Sequence, residues 1–171
     1  MDKPAAAAVN KFLRQGEEVT LEEAAPTDVS HLLGVIHSAY AEFWDKLDPP
    51  SGAFAETVAS IAAKLAKGGA IKAVATGAMI GCVLYEPRAE YLYFGRLAVV
   101  PSWRRLGVAQ QMIRLVEARA QAYGLARVQI GVRLVLPAHQ NYYANLGYQP
   151  IEYTCHPGFT TPTSVTMEKR L

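Results

Sequence analysis

The chain has 171 residues, 51% of them hydrophobic and 19% charged, with a formal net charge of +2. At roughly 150 residues per domain this is one domain with enough length to close a core, and the composition excludes a chain that is disordered throughout or fibrous. No apolar run reaches the roughly 18 to 20 residues of a membrane-spanning helix. The start, Met1-Asp2-Lys3-Pro4 and four alanines, lacks the basic and apolar regions of an export signal, so the expectation is a cytoplasmic protein. Cys82 and Cys155 have no metal-ligand spacing, which predicts reduced thiols and neither a disulfide framework nor a metal site.

In chain order, residues 1–18 read as an alanine-rich, then charged extension, a tail or frayed helix ahead of a single domain over 19–171. Val19 to Glu23 predicts a short strand. Pro26-Thr27-Asp28 then opens a helix to about Phe43, with Val29, Leu32, Leu33, Ile36, Tyr40 and Phe43 at the three- and four-residue spacing of one buried face. Asp48-Pro49-Pro50-Ser51-Gly52 breaks the chain into a loop. A second helix is predicted over Ala55 to Ala66, with Val58, Ile61, Ala62 and Leu65 inward and a stop at Gly68-Gly69. Ala70–Ala75 and Met79–Tyr85 form a hairpin around Thr76-Gly77-Ala78. Tyr91 to Val100 reads as a central strand covered on both faces, and Gly95 within it marks a bulge or a close backbone approach.

Val108 to Tyr123 is the clearest helix, apolar at Val108, Met112, Ile113, Val116, Ala120 and Tyr123, and Gly124 ends it. A strand over Arg127–Val132 and a short helix over Ala138–Leu146, closed by Gly147, come next. Strands near Gln149–Cys155 and Ser164–Lys169 flank the turn-rich His156-Pro157-Gly158 to Pro162. The order β-α-α-β-β-β-α-β-α-β-β predicts an α/β chain, a mixed sheet with helices on both faces.

Charge is uneven along this order. From Arg96 to Arg133 the basic residues are Arg96, Arg104, Arg105, Arg114, Arg119, Arg127 and Arg133, against the single acid Glu117. The segment Leu97-Ala98-Val99-Val100-Pro101-Ser102-Trp103-Arg104-Arg105-Leu106-Gly107-Val108-Ala109 leads from the central strand through a basic glycine turn into the best helix. Such a junction binds anions: the first helical turn leaves N–H groups unpaired and carries partial positive charge, and Gly107 with Ala109 lets the backbone approach a phosphate closely. A Rossmann fingerprint and a Walker loop are both absent. The short basic loop lacks the wide, aromatic-interleaved stripe of a nucleic-acid surface.

Arg104-x-x-Gly107-x-Ala109 after Leu97-Ala98-Val99 resembles the acetyl-CoA pyrophosphate loop of the GNAT-type N-acetyltransferases, and Tyr143-Ala144-Asn145-Leu146-Gly147-Tyr148 is similar to that family's Tyr-x-x-x-Gly-Phe. The resemblance implies the GNAT fold: a mixed, mostly antiparallel sheet of six to seven strands with a splayed central pair. It further implies acetyl-CoA as cosubstrate, no metal, and transfer to a primary amine, with a peptide or protein acceptor or a non-catalytic acyl-CoA-binding module as alternatives. Homodimers are common among the proteins it resembles.

Carried over position by position, Leu97, Ala98 and Val99 would pair with the pantetheine arm. Arg104, Arg105, Leu106, Gly107, Val108, Ala109 and Gln110 would hold the pyrophosphate. Tyr143 would be the general acid for the thiolate, a phenol being protonated at neutral pH. The position where relatives carry a Glu or His base is Tyr93, a poor proton acceptor that reads as a wall of the acceptor pocket ahead of a base. Glu90, Glu42 and His37 are substitutes for it, or water serves. An Asn often used for CoA is missing, and His139 or Asn141 stands in for it. Glu42, Asp45 and Asp48 gather where the acceptor site would lie and would suit a cationic small-molecule amine; Phe43, Trp44, Tyr91 and Tyr93 add aromatic surface there.

Overall fold

The structure, a computed structural model, describes residues 10–171. Two tight turns set the first half of the sheet: Gln15-Gly16 and Thr76-Gly77 each take positive φ at both positions, the conformation that matches the twist of antiparallel strands. The first joins β1 (Asn10–Arg14) to β2 (Glu17–Glu23), the second β3 (Gly69–Ala75) to β4 (Ala78–Pro87). Between these hairpins lie α1 (Val29–Tyr40) and α2 (Val58–Lys67). Then come β5 (Leu92–Val99), α3 (Val108–Ala122), β6 (Arg127–Arg133), α4 (Pro137–Asn145), β7 (Gln149–Thr154) and β8 (Ser164–Arg170). The strands form one open sheet in the order β1-β2-β3-β4-β5-β6-β8-β7, and every neighbouring pair is antiparallel except β5 with β6.

Two layers of side chains sandwich the sheet. On one face Met112, Ile113, Val116 and Ala120 of α3 pack with Leu92, Phe94, Val128, Ile130, Tyr143 and Tyr148. On the other, Leu32, Val35 and Ile36 of α1 and Ile61 of α2 meet Ala70, Cys82, Leu84 and Ala98. The predicted stripe of α3 is its buried face apart from the half-buried Tyr123; along that of α1 Val29, Leu32 and Ile36 are buried as expected, but Val35 and Ala39 join them while Leu33, Tyr40 and Phe43 are only partly covered. In α2 only Ile61 is buried; Val58 and Ala62 are exposed, because the helix touches the sheet along a narrower seam than its apolar spacing suggested.

Two further expectations are corrected. The sheet has eight strands, not six or seven, and Asn10–Arg14 is neither tail nor frayed helix but the edge strand β1, paired with Glu17–Leu21. Its residues find backbone partners in the sheet that a local reading could not supply. Residues 1–9, the remainder of the expected extension, lie outside the described residues.

Candidate active site

β5 carries a bulge. Leu84 pairs with Gly95 and Cys82 with Ala98, so Arg96 and Leu97 together oppose Val83. The extra residue reverses the strand's alternation: Phe94 faces the α3 layer, yet Ala98 faces α1. The positive φ falls on Arg96 (51°), one residue past Gly95, the residue that marked the bulge in the sequence. A side chain in this region is unfavourable by about 1 kcal/mol. Arg96 is held there by Glu56, whose nearly buried carboxylate accepts from Arg96 Nε at 2.7 Å and also from Lys64 and Ser60. Burial works against the Glu56 charge, but these partners outweigh it and keep the carboxyl below its ordinary pKa.

Beyond this bulge the sheet opens. β5 and β6 pair only at Leu92↔Val128 and Tyr93↔Gln129, while β5 stays paired with β4 through Val99 and β6 with β8 through Arg133. The edge of β5 from Phe94 to Val99 that faces β6 is therefore unpaired, ready for a strand-like ligand. This is the splayed pair the resemblance implied. Leu97 lies at the mouth of the gap, and its carbonyl accepts a long contact from Tyr40 Oη at 3.5 Å.

Three phenols converge on the gap. Tyr143 enters from α4, 7% exposed, its ring edge-on to Phe94, Tyr142 and Tyr148 at 5.3–6.2 Å. Burial, with Tyr40, Tyr142 and Tyr93 nearby, raises its pKa well above that of an ordinary phenol. Its hydroxyl has no hydrogen-bond partner among the described residues and is not sealed from solvent. Tyr93 stands on the α1 side of β5, its Oη 3.2 Å from where a Cβ on Gly131 of β6 would sit, so any larger residue there would have to push the phenol aside by a few tenths of an ångström. Tyr40, at the end of α1, is pushed up to about 12 by burial. Sequence reading placed Tyr40 in the core; only the bulge brings Leu97 to it.

The other end of β5 leads to the basic turn. Arg105 (φ 58°) and Gly107 (φ 80°) are both left-handed, and Gly107 precedes α3 with no side-chain cap. Gln111 is the first amide to find an intrahelical acceptor, Gly107 O at 3.1 Å, so the amides of Val108, Ala109 and Gln110 remain the helix's open donors. Arg105 projects into solvent. Arg104 does not face these amides: its guanidinium donates to Val99 O (3.1 Å) and Ala39 O (2.8 Å) and pairs with Glu42 at 2.6 Å, tying β5 to the end of α1. A cation the sequence did not single out takes the place: Arg14 of β1 donates from Nε to Leu106 O at 2.5 Å, and its Nη2 lies 3.3 Å from the Cβ position of Gly107. The Gln15-Gly16 turn was the available signal for that hairpin.

The remaining candidates divide. His139, at the start of α4, stands edge-on to Phe43 (5.7 Å), and burial, opposed by Glu42 and aided by Arg104, lowers its pKa below that of an ordinary imidazole. Asn141 is exposed on α4. Glu42 is half-exposed and spent on Arg104. Tyr91 precedes β5, and Glu90 pairs with Arg127 at the surface (2.6 Å), so both lie at the closed end of the β5–β6 pair. His37 lines an open pocket with Ala41, Trp44 and Phe54 on the outer side of α1. Of the three substitutes for a base, Glu90 thus lies at the closed end, His37 lines the pocket outside α1, and Glu42 is paired with Arg104.

A sheet splayed at one central pair, with a bulge on one lip and a glycine-led helix start at the end of that same strand, defines an acyl-CoA N-acyltransferase fold. The acetyltransferase (GNAT) family model matches residues 34–148, and the chain belongs to that family. The PaiA N-acetyltransferase of Thermoplasma acidophilum, solved in complex with coenzyme A, superposes with a TM-score of 0.75 over 90% of this chain and 99% of its own, at 14% identity. The GNAT domain of S. lividans PAT gives 0.73 over 95% and 97%, at 15% identity. The ribosomal-protein-S18-alanine N-acetyltransferase of Escherichia coli gives 0.71 over 89% and 93%, also at 15% identity. At these identities the likeness is one of fold. No curated protein sequence matches the chain. No helix among the described residues is long and apolar enough to cross a membrane.

Proposed function

We propose that the protein transfers an acetyl group from acetyl-CoA to a primary amine by direct attack within a ternary complex. One observation carries the reading: the unpaired lip of β5 runs from the phenol-lined gap to a left-handed glycine and the open amides of α3, a track with an amide-pairing edge at one end and an anion cradle at the other. The residues fit the cosubstrate. The main chain of Leu97 to Val99 would hold the pantetheine arm, the amides from Arg105 to Gln110 the pyrophosphate, and Arg14 would add a formal charge beside them.

The thioester supplies an activated acyl group whose leaving group is a thiolate. The protein's part is to position the two reactants, which can supply several kcal/mol of the barrier, and to move protons. Tyr143 stays protonated far above neutrality and donates to the departing sulfur. Tyr93 walls the gap on the acceptor side, and the amine's proton passes to water. Backbone N–H groups at the bulge polarise the carbonyl oxygen.

Calorimetry with CoA and a thiol-release assay with acetyl-CoA over a panel of amines test this. CoA binding together with amine-dependent thiol release is expected; absence of CoA binding overturns the reading.

A further inference from the structure

Arg133 ends β6 at the wide end of the gap, and its side chain is a cation without a counter-ion. No carboxylate lies within ion-pair distance of it among the described residues. Nη2 donates to the backbone carbonyl of Asp48 at 2.8 Å, and Nε is shut off from solvent with no partner. Burial outweighs the nearby Asp48 and lowers the guanidinium's proton affinity. The guanidinium is shut off from solvent only at Nε and otherwise stands open without an ion-pair partner, so an anion can reach it without displacing a protein carboxylate.

Position says what would bring it. Along β6, Val128, Ile130 and Val132 face the α3 layer, which puts Gln129, Gly131 and Arg133 on the opposite side. Gly131 is the residue under the Tyr93 hydroxyl, and Arg133 follows two positions later, about 7 Å along the strand and away from the paired end. Two loops close around it: the α1–α2 loop through Asp48, and the β7–β8 loop through His156, whose ring Nδ1 is 2.5 Å from Thr163 Oγ1 and whose basicity burial and Arg133 both lower. Glu42, the carboxylate that would have suited a cationic acceptor, is neutralised by Arg104. The acceptor side of the gap thus presents a guanidinium with no carboxylate at ion-pair distance, Asp48 beside it contacting it only through its backbone carbonyl.

We propose that Arg133 receives an anionic group of the acceptor, so that the substrate is an amine bearing a carboxylate or phosphate and not a polyamine. The inference rests on the acetyltransferase reading and names its substrate class. The planar fork suits either oxyanion.

The test uses matched pairs with the intact protein and acetyl-CoA: free amino acids against their C-terminal amides, phosphorylated amines against their dephosphorylated forms, and spermidine as the polycation. Thiol release should favour one anionic member by at least tenfold in kcat/KM, and the favoured pair tells carboxylate from phosphate. Arg133→Gln should collapse that ratio toward one, with Arg133→Lys restoring part of it. Equal or better turnover of the amides, dephosphorylated amines or spermidine overturns the proposal, as does thiol release with no anionic amine, or a ratio unmoved in Arg133→Gln. The wild-type comparison needs no variant to fold. CoA binding measured in the same samples separates the two failures: binding without the anionic preference sinks only this proposal, whereas no binding sinks the acetyltransferase reading.

Discussion

The two lips of the β5–β6 gap are built by different means. On the β5 side, recognition belongs to the main chain: an unpaired strand edge, a bulge, a left-handed glycine and the open amides of α3. On the β6 side it belongs to side chains drawn from distant segments, with Tyr93 over Gly131, Tyr143 from α4 and Arg133 between two loops. A backbone site takes a constant ligand and tolerates changes in most side chains around it. A side-chain site can be retuned to a new acceptor residue by residue.

The sharpest way to break this contrast is Gly107→Glu. It puts a side chain on a φ of 80°, and a carboxylate beside Arg14 where phosphate would sit. CoA affinity should fall by at least about 100-fold, with thermal unfolding still cooperative; unchanged affinity by calorimetry would mean the backbone lip is not the cosubstrate site.

On the other lip, Tyr143→Phe removes the proton donor and keeps the packing with Phe94 and Tyr148. Turnover should drop about 100-fold, the usual size for a lost general acid, with CoA affinity nearly constant. Because burial holds this phenol protonated, the wild-type rate should show no loss attributable to Tyr143 ionisation up to about pH 10. An alkaline limb near pH 8 that vanishes in Tyr143→Phe would contradict that.

Glu56→Ala tests whether the bulge depends on its anchor. It strips Arg96 and Lys64 of a nearly buried carboxylate and should destabilise the fold by about 3 kcal/mol, read from denaturant midpoints. The folded pKa of Glu56 lies below the unfolded one, so its contribution is complete above the ordinary carboxyl pKa and disappears as the pH falls through the depressed value. The wild-type protein should therefore lose its advantage over the variant in acid. A constant difference down to pH 2 would show that the charge does not hold the bulge.

The smallest expected effect is that of Arg14→Ala. A partly exposed cation beside the phosphate cradle should be worth about fivefold in CoA affinity at low salt and less at high salt. An affinity that ignores both the substitution and the salt would detach the N-terminal hairpin from the site.

The β5 lip was the more legible of the two in the amino-acid sequence. The stripe of α3, the glycine before it and the glycines ending α3 and α4 are local patterns, because caps and helical faces are decided within a few residues. Gly95 drew attention to the bulge, yet its strained residue is Arg96, held by an ion pair reaching 40 positions back. On the β6 side Tyr93 and Tyr143 were named through the resemblance, but the places of the arginines were not legible: Arg104 looked like a phosphate ligand and faces Ala39 and Glu42, while Arg14 looked like part of a tail and meets Leu106 across 92 positions.

By itself the sequence determined the order of elements from β2 onward, the helix start at Gly107 and the family, since each depends on spacing along the chain. Tertiary structure alone decided which arginine meets which partner, that Tyr40, Tyr93 and Tyr143 share one opening, and that Arg133 is left with its charge unmatched. A long side chain can reach several directions from one backbone position, and only the packing of distant segments selects among them.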